Sequence, residues 1–166
     1  ALAALDAAVL LVSCAEGIQS QTERFWKALR QKDIPTLIVV NKVDRAGCDP
    51  EQVVAELKNT FSSAIIPIQR VAGPGSTQCE IVPVELSEQD CLELCALDDA
   101  LAERYLGGEM VSEDQWNRVL AEQTCAGQAF PLLFGAMAQS RGGEALLEAI
   151  DRFLPHIEQQ PEGAVS

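Results

Sequence analysis

The stretch Thr36-Leu37-Ile38-Val39-Val40-Asn41-Lys42-Val43-Asp44 decides the fold of this chain. Its first five residues form a short, continuously apolar run, which is typical of a strand buried on both faces of a parallel sheet. The next four are polar at three positions and predict a loop at the carboxyl end of that strand. Asp49-Pro50 then predicts a helix start, with Asp as the N-cap and Pro at the first helical position.

Strands and helices alternate on both sides of this stretch. Residues 8–12 and 130–134 are further strand candidates, and residues 18–32 have the apolar spacing of an amphipathic helix. The final helix is expected to bury Leu146, Leu147, Ile150 and Phe153. The alternation predicts an α/β layer fold, a parallel sheet flanked by helices.

The middle of the chain, about residues 65–128, is less regular and predicts a compact inserted α+β segment. Strands are expected over residues 65–71 and 80–84, joined by a Gly- and Pro-rich turn. A single helix is expected over residues 92–106. The capping box at 112–115 predicts another helix after it.

Composition excludes several classes of protein. Forty-eight per cent of the residues are hydrophobic, which argues against disorder, and the longest apolar run, residues 7–12, is too short to span a bilayer. A net charge of −13 disfavours binding to nucleic acid by the chain itself. We therefore expect a cytoplasmic protein with no membrane partner.

The cysteines do not predict a metal site. No CxxC pair occurs, and the single histidine, His156, lies near the C-terminus. We expect no metal ligands, and reduced cysteines that act as small apolar fillers; these are Cys14, Cys48, Cys79, Cys91, Cys95 and Cys125.

The loop Asn41-Lys42-Val43-Asp44 carries the chemistry, because it follows a buried strand at the place where α/β proteins bind ligands. The Asp44 carboxylate can accept hydrogen bonds from the N1–H and the exocyclic amine of guanine. Adenine offers neither donor and would leave the carboxylate unpaired. Asn41 can donate to N7 and tie neighbouring loops together, and the stem of Lys42 can lie along the base.

Several blocks, in order, resemble the elongation factor G type of translational GTPases, which includes the tetracycline-resistance ribosomal protection proteins. The resemblance covers nearly the whole chain. The loop with its following Arg45 is similar to the family's N-K-x-D-R, after an Ile-Pro pair at residues 34–35. The other similar blocks are Leu5-Asp6-Ala7-Ala8, Glu16-Gly17-Ile18-Gln19 with Gln21-Thr22, Arg104-Tyr105-Leu106-Gly107-Gly108-Glu109, and Phe153-Leu154-Pro155.

The resemblance implies a second base-binding element after the strand at 130–134. The family has G-S-A there, whereas this chain has Gly135-Ala136-Met137-Ala138, so the Ser hydroxyl that braces the loop is missing. A backbone N–H of Met137 or Ala138 would hold guanine O6. The implied guanine-binding residues are therefore Asn41, Lys42, Asp44, Ala136, Met137 and Ala138.

The family's phosphate loop, G-x-x-x-x-G-K-[ST], does not occur in this sequence, and no D-x-x-G segment comes before the loop Asn41-Lys42-Val43-Asp44. We therefore expect residues 1–166 to be the C-terminal portion of a GTP-binding domain, a partial P-loop GTPase-type fold. The implied ligands are GTP and GDP, with Mg²⁺ held outside these residues. The parent is implied to be a GTPase that acts on the ribosome, whereas this chain carries no catalytic residue. The compact insertion resembles a ribosomal protection protein more than elongation factor G.

Two further expectations follow. The alternative function is a non-catalytic α/β binding module, receiver-like or flavodoxin-like, in which N-K-V-D is a coincidence.

In the family fold, the strand at 8–12 pairs with the strand that leads into the phosphate loop. Without that neighbour it would be an apolar sheet edge, and we expect the chain to self-associate through it.

Overall fold

The computed structural model describes residues 6–155, so His156 and the first five residues lie outside the described part. Strand and helix bounds within it are β1 Ala8–Ser13, α1 Ser20–Gln31, β2 Thr36–Asn41, α2 Pro50–Thr60, β3 Ile65–Pro67, β4 Gln69–Ala72, β5 Glu80–Pro83, α3 Glu88–Cys95, α4 Asp99–Leu106, α5 Glu113–Cys125, β6 Phe130–Phe134 and α6 Gly143–Phe153. A short 3₁₀ turn covers Met137–Gln139.

Four strands form one sheet in the order β1-β2-β6-β3, and every neighbouring pair is parallel. The strands β4 and β5 form a separate antiparallel hairpin within the insertion. Ser13 of β1 is in register with Asn41 of β2, and Val40 of β2 with Phe134 of β6. The predicted α/β fold with a parallel sheet is confirmed.

The two faces of the sheet bury two apolar clusters. Ile38 and Val40 of β2 pack in the cluster that contains Trp26 of α1 and Leu57 of α2. The alternate residues of β2 pack on the other face, in the cluster that contains Phe153 of α6 and residues of α3 and α5. The residues of β2 before Asn41 are fully buried, as the continuous apolar run predicts.

The insertion departs from the sequence prediction in two places. The run 65–71 divides at Ile68, whose N–H donates to Leu132 in β6 while its carbonyl accepts from Val84 beside β5. The single helix expected over 92–106 is two helices, because the Asp98 side chain accepts from the N–H of Leu101 and caps a new start. Each boundary depends on a contact that local apolar spacing does not encode.

The final helix also differs in the face that it buries. The apolar spacing predicts that Leu147 is buried, but 68% of it is exposed. Ala149 and Phe153 supply the fully buried positions of α6, and Leu146 and Ile150 pack against the same cluster. The expectation for Leu147 is therefore wrong, because the apolar stripe of α6 is wider than the face that the sheet covers.

The expectation of six reduced cysteines is wrong for two of them. Cys14 and Cys48 form a disulfide with their Cα atoms 5.5 Å apart, although 34 positions separate them in sequence. Cys79, Cys91 and Cys95 are free and buried, and burial raises the pKa of Cys91 to about 11. Spacing along the chain does not indicate the pair, because it is the sheet that brings its two loops together.

No helix in the described part of the chain is long and apolar enough to cross a membrane.

Candidate nucleotide-base site

The loops that follow β1, β2 and β6 lie at one edge of the sheet. The three strands are parallel neighbours, so their carboxyl ends point the same way. This edge is where open α/β sheets bind ligands. Every residue proposed from sequence to contact the base belongs to the second or the third of these loops, or to the strand end that leads into it.

The loop after β2 is anchored by one apolar residue among polar ones. Val43 is fully buried, and its N–H donates to the carbonyl of Gly135 at 3.2 Å. Lys42 has a φ of 65°, in the left-handed region that most residues avoid. Asn41, Lys42 and Asp44 all remain partly accessible. The buried valine holds the backbone while the three polar side chains stay available to a ligand.

The far end of the same loop is fixed covalently. Cys48 is joined to Cys14, which directly follows β1. The next residue, Asp49, accepts a hydrogen bond from the N–H of Gln52 at 3.1 Å and caps α2. The polar segment between β2 and α2 is therefore attached to the sheet, to the β1 loop and to a helix start.

The loop after β6 is built from backbone. Ala136 and Arg141 exchange two hydrogen bonds of 3.2 Å each, and the 3₁₀ turn lies between them. Gly142 has a φ of 91°, and a Cβ there would lie 2.9 Å from the carbonyl oxygen of Phe134. Glycine is required at this position on both grounds.

Two side-chain hydrogen bonds join the loops after β2 and β6, in addition to the backbone bond from Val43 to Gly135. The Asn41 side-chain oxygen accepts from the N–H of Met137 at 3.1 Å. The Gln139 side-chain amide donates to the Asp44 carboxylate at 3.0 Å. The structure thus brings Asn41 and Asp44 against the β6 loop, as the two-loop interpretation of the sequence requires.

The three remaining residues proposed from sequence have different positions. Lys42 lies between Asn41 and the buried Val43. Ala136 is 1% exposed and belongs to the core beneath the loop. Ala138 is exposed in the 3₁₀ turn. The side chain of Ala136 therefore supports the loop from within the core, and Ala138 is on its surface.

The inserted hairpin supports both loops. The N–H of Gly75, in the turn between β4 and β5, donates to the carbonyl of Val43 at 2.8 Å. The guanidinium of Arg141 donates to the carbonyl of Cys79, just before β5. The first contact braces the β2 loop and the second braces the β6 loop.

Sequence reasoning missed Gly75, Gln139 and Arg141. Gly75 belongs to a turn that the sequence does show, but nothing in the sequence indicates that the turn lies against Val43. Nothing in the sequence indicates which residues the side chains of Gln139 and Arg141 contact.

The chemistry of the site suits the edge of a heterocyclic base. It holds one carboxylate acceptor, the two carboxamides of Asn41 and Gln139, and the backbone N–H groups of the 3₁₀ turn. Within residues 6–155 no group of three or more His, Cys, Asp or Glu side chains is placed to hold a metal ion. We assign no Mg²⁺ ligand to these residues.

Comparison with known proteins finds relatives along nearly all of the chain. Residues 1–156 match the model of the elongation factor Tu GTP binding domain family. The tetracycline resistance protein TetP of Clostridium perfringens is 33% identical over 169 residues, which cover 99% of this chain and 26% of that protein. Elongation factor G 2 of Syntrophus aciditrophicus is 28% identical over 194 residues, covering 96% of this chain and 28% of that protein.

A crystal structure of a protein from Thermus thermophilus is similar in fold, with a TM-score of 0.77 and 25% identity over 93% of this chain and 27% of that one. The chain spans about a quarter of the length of the curated relatives that it matches. The family match excludes the receiver-like and flavodoxin-like alternative, because it extends from the first strand to the end of α6. The chain belongs to the elongation factor Tu GTP-binding domain family, and within it is similar to tetracycline resistance proteins and elongation factor G.

Proposed function

We propose that this chain is the guanine-recognising part of a ribosome-associated GTPase. The observation that carries the proposal is the 3.1 Å hydrogen bond between the Asn41 side-chain oxygen and the N–H of Met137. It holds the β2 loop, with its Asp44 carboxylate, beside the backbone donors of the β6 loop. A base placed between the two loops would meet an acceptor on one side and donors on the other.

Each group has a role that follows from the hydrogen-bond donors and acceptors that it has available. Asp44 accepts from N1–H and from the exocyclic amine of guanine, which adenine cannot provide. The Asn41 side-chain oxygen accepts a hydrogen bond from Met137, so the side-chain NH₂ of Asn41 remains to donate to N7. The stem of Lys42 covers one face of the ring. The N–H of Met137 is committed to Asn41, so Ala138 is the better donor for guanine O6.

The nucleotide is GTP or GDP in this proposal. The sequence contains no G-x-x-x-x-G-K-[ST] motif, so the phosphates and Mg²⁺ are assigned to residues outside 1–166. Mg²⁺ would neutralise charge on the phosphates when bound. Residues 1–166 then form the C-terminal portion of the GTP-binding domain, with the insertion at about 65–128. The GTPase reaction belongs to the whole protein, and the chain alone has no catalytic residue.

The ribosomal role is proposed from the relatives, some of which are tetracycline resistance proteins and others elongation factor G. The alignment with TetP is 169 residues long and the alignment with elongation factor G 2 is 194 residues long, although both cover nearly the same share of this chain. The longer alignment requires more gaps in this chain, which supports a compact insertion and favours a ribosomal protection protein. A ribosomal GTPase works in the cytoplasm, and we propose that compartment.

The proposal is tested by changing Asp44 to Asn. We expect the native chain to prefer GDP over ADP, and D44N to prefer xanthosine diphosphate, because the C2 oxygen of xanthine needs a donor. Sites built around such a group discriminate by a factor on the order of 10⁴, and we expect a smaller factor where phosphate contacts are absent. Amide chemical shifts recorded during nucleotide titration measure the affinities.

Asp49 offers a matched control for this test. It is an exposed aspartate that caps α2 through its contact with Gln52, and D49N keeps an oxygen for that cap. We expect D49N to retain the native order of affinities. Native affinity for GDP should be weaker than micromolar, because phosphate contacts supply most of the binding in this class. An unchanged guanine preference in D44N would show that Asp44 does not read the base.

We also propose that the chain self-associates through β1. Within residues 6–155 no strand pairs with the outer edge of β1, and Leu11 in that strand is 60% exposed. The strand carries no charge or proline to protect its free N–H and C=O groups. A symmetric dimer that pairs two copies of β1 would satisfy them.

Light scattering over increasing concentration tests the association. We expect the native chain to shift towards a dimer and L11K to remain a monomer. L147K is the matched control, since Leu147 is similarly exposed but lies on α6. A native chain that stays monomeric at high concentration would contradict the proposal.

A further inference from the structure

Gln139 contacts the carboxylate on which guanine recognition depends. Its side-chain amide donates to one oxygen of Asp44, Oδ2, at 3.0 Å, across 95 positions of sequence. Gln139 is the last residue of the 3₁₀ turn, in the loop that flanks the proposed base pocket. Its amide therefore reaches Asp44 from the loop on the opposite side of the proposed base pocket.

The group that Gln139 presents is chemically close to part of guanine. A carboxamide NH₂ is a neutral, planar double donor, and so is the exocyclic amine at C2 of guanine. The second group that guanine presents to the carboxylate is N1–H. Hypoxanthine has the same N1–H and the same oxygen at C6, but it lacks the amine. The two bases therefore differ at the single position that Gln139 can fill.

We propose that Gln139 substitutes for the exocyclic amine on Asp44, so that the site accepts hypoxanthine nucleotides nearly as well as guanine nucleotides. The inference rests on the proposed function, because it assumes that Asp44 reads the base. When a guanine nucleotide binds, its amine displaces the Gln139 amide, and a hydrogen bond from one neutral donor to the carboxylate replaces a hydrogen bond from another. When a hypoxanthine nucleotide binds, Gln139 stays and the second carboxylate oxygen remains paired.

Selectivity between the two bases normally comes from the unpaired oxygen. A carboxylate oxygen covered by a base and left without a donor disfavours binding by about tenfold or more. The Gln139 amide removes that penalty in the native chain. Adenine remains excluded, because it lacks the N1–H that the first oxygen requires. Gln139 thus lowers the selectivity for guanine over hypoxanthine and leaves the selectivity against adenine unchanged.

The test compares GDP, inosine diphosphate and ADP on the native chain and on Q139M, which keeps the side-chain length but removes the donor. Affinities come from amide chemical shifts recorded up to millimolar nucleotide. We expect GDP and inosine diphosphate to bind the native chain within about threefold of each other. In Q139M we expect a preference for GDP of about tenfold or more. Q128M is the control, since Gln128 is exposed and precedes the opposite end of β6.

A second readout follows the Gln139 side-chain amide itself, assigned by its loss in Q139M. Its resonance should move differently with the two nucleotides, because GDP displaces it from Asp44 and inosine diphosphate does not. A native preference for GDP over inosine diphosphate above about threefold, or a ratio in Q139M equal to the native ratio, overturns this inference alone. Loss of the preference for GDP over ADP in the native chain overturns the proposed function, and this inference with it.

Discussion

The loops after β2 and β6 build one site in different ways. The β2 loop presents side chains, since Asn41 and Asp44 make the contacts that join it to its neighbour. The β6 loop presents mainly backbone, because Ala136 and Arg141 pair through main-chain bonds and Met137 contributes its N–H. One loop depends on which residues it holds, and the other depends on the path of its chain.

The difference extends to how the loops are supported. The β2 loop is fixed by a disulfide between Cys48 and Cys14 and by contact with the turn at Gly75. The β6 loop depends on the Arg141 contact to the carbonyl of Cys79 and on the conformational freedom of Gly142. Covalent support therefore belongs to the loop whose side chains must be placed, and non-covalent support to the loop that supplies backbone donors.

Reduction of the Cys14–Cys48 disulfide is expected to have the largest effect. Closure of a loop of this size in the unfolded chain corresponds to about 3–4 kcal/mol of stability. We expect the free energy of unfolding to fall by about that amount when a thiol reductant is added. Urea unfolding with and without reductant measures the difference.

The control for reduction is C48S, whose stability should no longer respond to reductant. C125S should keep the native response, because Cys125 is free. Disulfides are rare in the cytoplasm, so the reduced form is the relevant one there and the stabilisation would be absent. Equal urea midpoints for the oxidised and reduced native chain would show that the β2 loop does not depend on covalent support.

Removal of the Asn41 side chain should have the next largest effect. N41A breaks the bond to Met137 and leaves a half-buried N–H without its partner, with a cost of about 1–3 kcal/mol in stability. We expect GDP binding to weaken by about tenfold or more, because both the bond between the loops and the proposed N7 donor are lost. Thermal unfolding and nucleotide titration measure the two effects. N117A is the control, since Asn117 lies on α5, which carries no residue proposed to contact the base.

A retained GDP affinity in N41A would contradict the tie between the loops. If stability falls but affinity does not, Asn41 supports the fold and does not position the base. If affinity falls alone, the N7 contact matters more than the tie.

Local sequence patterns predict the elements on both sides of the β2 loop. The strand at Thr36–Asn41, the capped helix after it and the polar loop between them follow from local patterns, and all are present. The roles of Asn41 and Asp44 are inferred from side-chain chemistry that a four-residue motif displays. Residues 92–106 are predicted as one helix because their helical pattern is continuous. In the structure the Asp98 cap divides that pattern into two helices.

The rest could not be predicted because it depends on contacts between distant segments. Gln139 contacts Asp44 across 95 positions, and Arg141 contacts Cys79 across 62. The Cys14–Cys48 pair needs the parallel pairing of β1 and β2 before its two loops can meet. No spacing rule along the chain encodes these distances.

Side-chain changes in the β6 loop should have the smallest effect, and they test the comparison most directly. Met137 contributes its backbone N–H to Asn41, and Ala138 is the proposed backbone donor to guanine O6. Both M137L and A138S keep those N–H groups, so we expect GDP affinity within about twofold of native. The stability change should stay below about 1 kcal/mol, because Met-to-Leu conserves volume and Ala138 is exposed. Nucleotide titration and thermal unfolding measure both quantities. A loss of more than about fivefold in either variant would mean that side chains of this loop contact the base, and the division between a side-chain loop and a backbone loop would fail.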